Sequence, residues 1–299
     1  MSLSQLHAYR FEAPATLNDA CSILARQDQS GVPAFPIAGC TDWMVERHMS
    51  AVCDDSPKGV AVSVFKIPEL NVIDICGDRL IVGAAVSYLT LRKSRIVNER
   101  CPLLALMAKD VGAVQIQARG TLGGNLVTGS PAADGVTALF ALDARVVLKN
   151  SDAEREIPIV EYYTGYKRSV RKPNELVVRF VVDLPSADAK SFWRKVGTRS
   201  AQSISKASLA AVAEQNSDGS VARIAFGAGS VAECVLPLQA ARQQIVGRKP
   251  QDIDLGSVID AVRREIRPID DIRSTARYRS HVTTSLVSRF LQDCLGVKA

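Results

Sequence analysis

Two glycine-containing turns carry the residue types that could hold a phosphate. The first reads Pro36, Ile37, Ala38, Gly39, Cys40, Thr41, Asp42, Trp43 and grows out of a short apolar run, FPIA at 35–38. The second, TLGGNLVTGSPAAD at 121–134, begins Thr121, Leu122, Gly123, Gly124, Asn125. Consecutive glycines let a backbone approach a ligand closely. They also aim successive N–H groups into one concavity, a nest that binds phosphate oxygens without a lysine. Thr41, Thr121, Thr128 and Ser130 add hydroxyls, Asn125 adds an amide donor, and Asp134 could accept from a sugar hydroxyl. Neither turn is G-x-G-x-x-G, and no lysine follows a glycine pair, so the two best-known phosphate loops are excluded. The same residues would also suit a β-bulge and a surface turn, which on residue chemistry alone is the simpler reading.

Other chemistries find less material. Seven dispersed cysteines (21, 40, 53, 76, 101, 234 and 294) include no C-x-x-C pair, so zinc ribbons and the common iron–sulfur spacings are absent. Three histidines (7, 48 and 281) have no helical pairing that would suit a metal. The net charge of +6 raises nucleic-acid binding, but Asp270 and Asp271 interrupt the densest basic stretch, RREIRPIDDIRSTARYR at 263–279. Aromatics make up 5% of the chain, and none interleave there as a base-stacking platform requires. That stretch reads instead as a solvated face or a dock for an acidic partner subunit. No apolar run reaches the ~20 residues of a membrane span, and the first residues lack the apolar core of a secretory signal. A cytoplasmic location with reduced thiols is expected.

The elements that must position the turns follow from periodicity. Thr16 is placed to cap a helix over LNDACSILARQ, and the first turn leads into a helical WMVERHM. NVIDIC (71–76) and RLIVGAAV (79–86) form a hairpin across Gly77-Asp78. Ser87 caps a short helix over YLTLRKS, and a proline-started helix spans 102–114. After the second turn come a helical GVTALFALD and the strands ARVVLK (144–149), ELVVRFVVDL (175–184) and SFWRKV (191–196). SLAAVAEQ and VARIAFGAG pair across a turn at 216–219, and helices over VLPLQAARQQIVG, LGSVIDAVRREI and YRSHVTTSLVSRFLQDCL finish the chain. The order is α+β rather than regular βαβ alternation. The polar linker PSADAK sets the boundary between a domain at 1–185, with sub-parts about 1–60 and 61–185, and a second at 186–299.

PIAGCTDW, VGAAVSYLTL, TLGGNLVTGSPAAD and KVGTRSAQSISKASLA occur in this order, followed by RIAFGAGSVAECVLPLQAA and PIDDIRSTARYRSHVTTSLVSRFL. Together they resemble the FAD-binding (medium) subunit of molybdenum hydroxylases, the xanthine dehydrogenase and carbon monoxide dehydrogenase flavoprotein family, over about 10–290. The resemblance implies a two-part FAD-binding domain of the p-cresol methylhydroxylase type, then a smaller α/β domain of antiparallel sheet plus helices. It implies that both glycine turns hold the FAD pyrophosphate mainly by backbone N–H, with Asp134 near the ribose and Val177 and Lys195 beside the flavin. A molybdenum cofactor and two [2Fe–2S] clusters would lie in large and small partner subunits, in a doubled heterotrimer. Electrons would reach FAD and leave to NAD, O₂, a quinone or another carrier. No acid–base residue is implied as catalytic.

Two departures matter. Cys40 stands where the family often has a second glycine. If that position needs φ > 0 the cysteine strains the turn, and its thiol is either redox-active or packed and inert. GSVAECVLPL departs from a more compact family pattern, which bears on a subunit contact. The chain has no cysteine between Asn125 and Leu184, so the extra [4Fe–4S] insert of some members is not expected. Two rivals stay open: a self-sufficient flavin oxidoreductase of the same fold, and a non-enzymatic interaction protein with a vestigial nucleotide loop. The first would need a base over the flavin, and Tyr162, Tyr163 and Tyr166 read as structural or acceptor-side.

Overall fold

The computed structural model describes residues 8–49, 58–199 and 202–298; His7, Cys53 and residues 200–201 of the KVGTRSAQS motif lie outside them. The chain begins with β1 (Tyr9–Glu12), α1 (Leu17–Gln29), β2 (Ala34–Ile37), α2 (Trp43–Met49) and β3 (Gly59–Ser63). Thr16 caps α1 by accepting from Asp19 N–H, and the helix buries Ala20, Cys21 and Leu24. β1 and β2 flank β3, both parallel to it. Within an α+β chain this is a local parallel unit, and GVAVS at 59–63 is a strand the periodicity reading passed over.

Next come β4 (Ile73–Cys76), β5 (Arg79–Gly83), α3 (Tyr88–Lys93), α4 (Arg95–Arg100), α5 (Pro102–Lys109), α6 (Val114–Arg119), α7 (Leu122–Thr128) and α8 (Asp134–Ala141). The strands β6 (Arg145–Lys149), β7 (Glu154–Pro158), β8 (Tyr163–Gly165), β9 (Arg168–Ser169) and β10 (Leu176–Asp183) follow. The expected hairpin is β4–β5, and the cap expected at Ser87 accepts from Thr90 N–H. The helix expected over 102–114 stops at Lys109, where Asp110 caps it and α6 restarts after a turn. The second glycine turn is not an open loop. Thr121 accepts from Gly124 N–H and caps α7, so Gly123, Gly124 and Asn125 are helical.

β10 lies at the centre of a five-stranded sheet ordered β4-β5-β10-β6-β7. Beyond 185 come β11 (Lys190–Val196), β12 (Ala207–Gln215), β13 (Val221–Gly229), α9 (Gln239–Gln243), α10 (Leu255–Glu265) and α11 (Ala276–Leu295). β11, β12 and β13 form an antiparallel sheet backed by α11 through Val287, Phe290 and Leu291. The helix expected from Val235 shortens to α9, because Leu236 exchanges two backbone bonds with Ala228 and so extends the β13 edge. The two halves share a core: Ala210 and Val212 of β12 pack with Leu139 and Phe140 of α8. No helix among the described residues is long and apolar enough to cross a membrane.

Candidate functional site

The two glycine turns meet. A Cβ on Gly39 would lie 1.6 Å from the Arg119 carbonyl oxygen, so only glycine lets the first turn rest on the backbone leading into the second. Thr128 Oγ1 on α7 donates to Asp42 Oδ2 at 3.1 Å, and Lys167 reaches Glu46 of α2 at 2.8 Å. Between them lies a cavity of about 460 Å³, in the range of small-molecule and cofactor sites. Every residue of the first turn from Pro36 to Trp43 lines it. Thr121, Gly123, Gly124, Asn125 and Val177 complete the sequence-predicted set that reaches it.

The turns contribute differently. Among the described residues, the N–H groups of Gly39, Cys40, Thr41 and Asp42 donate to no protein acceptor. Cys40 adopts φ +63°, so the turn has the left-handed step of a nest. The second segment keeps its donors for itself. Leu122 N–H goes to Val86 O, Gly123 N–H to Ala84 O, Gly124 N–H to Thr121 Oγ1 and Asn125 N–H to Thr121 O. Gly123 and Gly124 therefore line the cavity with their N–H groups already given to Ala84 O and Thr121 Oγ1. A Cβ on Gly123 would strike Ala84 at 2.7 Å, whereas one on Gly124 would meet only Thr121 Oγ1 at 3.0 Å. Asn125 Oδ1 accepts from Gly135 N–H and fastens α7 to α8.

Three expected contacts lie outside the cavity lining. Leu122 is fully buried core. Asp134 is buried, and its two oxygens are taken by Lys195 Nζ at 2.5 Å and Ser205 Oγ at 3.1 Å. Lys195 also donates to Asp110 O at 3.0 Å. In this structure Asp134 is a buried tie between the two halves of the chain. Burial pushes this carboxyl above its ordinary range, with Lys195 and Ser205 pulling the other way.

The cavity also recruits residues that had no assigned role. Tyr88 and Glu175 line it, both almost wholly buried. Glu175 accepts from Arg155 at 2.7 and 2.8 Å and from Lys172 N–H at 2.7 Å. Burial alone would raise its carboxyl, but these donors together hold it below the ordinary value. Tyr88 lay inside the quoted VGAAVSYLTL, and a phenol directly after a cap serine was the available signal. Its hydroxyl and Trp43 Nε1 are buried without a hydrogen-bond partner among the described residues. Burial, then the charges of Asp134 and Asp42, push the Tyr88 phenol well up, so it stays a neutral donor. Of the three tyrosines in VEYYTGYKR, Tyr162 is core, Tyr163 donates to Leu126 O at 2.7 Å and steadies α7, and Tyr166 is exposed.

Residues 7–186 match the FAD binding domain in molybdopterin dehydrogenase, and residues 193–294 match the CO dehydrogenase flavoprotein C-terminal domain. The chain belongs to this flavoprotein family. It is 27% identical over 290 residues to the nicotinate dehydrogenase FAD-subunit of Eubacterium barkeri, covering 96% of each chain. It is 25% identical over 283 residues to the carbon monoxide dehydrogenase medium chain of Hydrogenophaga pseudoflava, covering 95% of this chain and 96% of that one. A solved structure of that carbon monoxide dehydrogenase, lacking the Mo-pyranopterin moiety of its cofactor, superposes with a TM-score of 0.88 at 25% identity, covering 97% and 98%. The chain is the FAD-binding part of an oxidoreductase, and its cavity fits that cofactor. Consecutive unpaired N–H groups suit a pyrophosphate, and the orphaned Trp43 and Tyr88 donors need an acceptor that a polar dinucleotide can supply.

Proposed function

We propose that this flavoprotein is the electron-transfer subunit of a molybdenum-containing hydroxylase or dehydrogenase complex. It takes electrons from [2Fe–2S] clusters of a small partner subunit and passes them to an external acceptor such as NAD. A large subunit carries the molybdenum cofactor, and the assembly is a doubled heterotrimer. The observation that carries the reading is the run of unpaired N–H groups at Gly39–Asp42, on residues that line a cavity shared with α7 and β10. When bound, FAD supplies one- and two-electron redox chemistry. The residues of this chain bind and position it. The first turn offers donors to the pyrophosphate, Gly124 leaves room beside it, and Val177 gives an apolar wall from the central strand. Residues 1–185 hold the cofactor, and 186–299 brace them through α8.

The native complex tests this reading directly: flavin absorption should come with iron–sulfur absorption and molybdenum. Flavin without either metal would favour a self-sufficient oxidoreductase. The site itself is tested by Gly124→Val. Its side chain enters the cavity, so FAD occupancy should fall at least about tenfold while far-UV circular dichroism stays unchanged. Full occupancy in that variant would refute the placement. Changing Asn125 as well would blur the result, because its side chain also ties α7 to α8.

A further inference from the structure

The first glycine turn offers donors but no positive charge. A dinucleotide pyrophosphate is a dianion, yet the stretch from Pro36 to Trp43 contains no lysine or arginine and contributes Asp42. Glu46 follows one helical turn later, its N–H bonded to Asp42 O at 2.9 Å, and both carboxylates line the cavity. An anion received by the backbone N–H groups alone would sit beside two like charges that repel it. Three cations share the lining: Arg47, Lys167 and Arg171. Arg47 donates to Tyr9 Oη at 3.3 Å and lies over the Phe35 and Trp43 rings. Arg171 donates to the Lys172 and Glu175 carbonyls. Lys167 has three ammonium donors and, among the described residues, one hydrogen-bond partner, Glu46 at 2.8 Å.

The place of Lys167 is imposed by its surroundings. It lies between β8 and β9 with φ +53°, a left-handed backbone that a lysine keeps only where neighbouring structure over-determines it. Tyr163 fastens this hairpin to α7 through Leu126 O, and a Cβ on Gly129 would lie 3.2 Å from Lys167 Cα. Gly129 directly follows Thr128, whose hydroxyl donates to Asp42. The packing at the end of α7 thus brings the ammonium beside the first turn. The Glu46 hydrogen bond, then the charges of Glu46 and Asp42, raise its pKa above the ordinary value, so it stays charged. We propose that Lys167 is the cation of the cofactor site, its ammonium donating to a phosphate oxygen of FAD seated on the N–H groups of Gly39–Asp42. This role rests on the pyrophosphate placement proposed above.

The test titrates FAD into the full chain freed of flavin, following flavin fluorescence at low and high salt. Lys167→Met should weaken FAD at least about tenfold, the loss of one charge-assisted hydrogen bond, while its circular dichroism stays that of wild type. Salt should weaken FAD binding less in Lys167→Met than in wild type, because one screened attraction is gone. Lys167→Arg keeps the charge and should stay within about threefold of wild type. Glu46→Gln separates the charge from a plain strap between α2 and the hairpin. It breaks the same ion pair but spares the ammonium and removes a like charge from the phosphate, so FAD should bind at least as tightly as in wild type. Equal weakening in Glu46→Gln and Lys167→Met would make Lys167 a strap and overturn the proposal. Wild-type affinity and salt dependence in Lys167→Met would overturn it too, leaving the pyrophosphate placement standing. Full FAD occupancy in Gly124→Val would remove the placement and the lysine's role together.

Discussion

At the scale of single residues, Cys40 is where the site departs from what an unconstrained backbone would choose. Its φ of +63° lies in the left-handed region, which costs a residue with a Cβ roughly 1–2 kcal/mol. Its thiol donates to Ala38 O at 3.5 Å and packs against the Tyr9, Ile37 and Ala61 cluster, and burial pushes the thiol up despite the charge of Arg119. A raised thiol pKa means little thiolate, so the packed, inert role fits the geometry. Cys40→Gly should therefore stabilise the chain by about 0.5–1 kcal/mol, after allowing for glycine's larger entropy loss, and leave FAD affinity intact. Calorimetry and flavin titration check this, and a lowered melting point would show that the side chain contributes packing the strain argument omits. The strain was legible as a conditional in the sequence, because a cysteine replaced an expected glycine. The orphaned Tyr88 hydroxyl was not, since a missing partner is a fact about three dimensions.

At the scale of elements, α8 is the beam on which both halves rest. Its first residue, Asp134, pairs with Lys195 of β11, and both side chains are about nine-tenths buried. A Cβ on Gly227 of β13 would lie 1.9 Å from the Thr137 carbonyl, so sheet and helix are in backbone contact. Removing one partner of a buried pair leaves the other charge uncompensated. Lys195→Ala should cost about 3–5 kcal/mol in urea denaturation, with or without flavin. A cost below about 1 kcal/mol would mean that Asp134 is already neutral and that the tie is a simple hydrogen bond. Here sequence reading fixed the element types more securely than the contacts. Thr16 and Ser87 announced their helices through local cap chemistry. Gly-Gly-Asn misled, because two glycines argue against a helix until Thr121 supplies the cap and Ala84 the close packing. Asp134 and Lys195, 61 residues apart, carried no local sign that they would satisfy each other.

At the scale of the whole molecule, acid is the expected route to unfolding. The Arg145 side chain holds Asp183 below the ordinary carboxylate value, and Glu175 and Asp271 are also held low. Groups depressed in the folded state contribute stability above their unfolded pKa, near about 4, and lose it as pH falls through the folded value. Asp134 runs the other way: its raised pKa contributes below the unfolded value and loses that contribution as pH rises through the folded one. With Asp218 and Asp254 also held low, the depressed carboxyls outnumber the raised Asp134, which gives a melting temperature that drops below about pH 4, with Glu175→Gln shallower over that range. A melting temperature flat to about pH 3 would contradict this. The order of strands adds something about timing. The cavity is walled by residues 34–47, by 120–128 and by Val177, whose strand β10 must slot between β5 and β6 before the sheet exists. A chain emerging from the ribosome N-terminus first displays its first glycine turn long before the cavity around it is complete. Cofactor capture therefore waits until well over half of the protein has been made, and premature termination upstream of β10 yields a fragment blind to flavin.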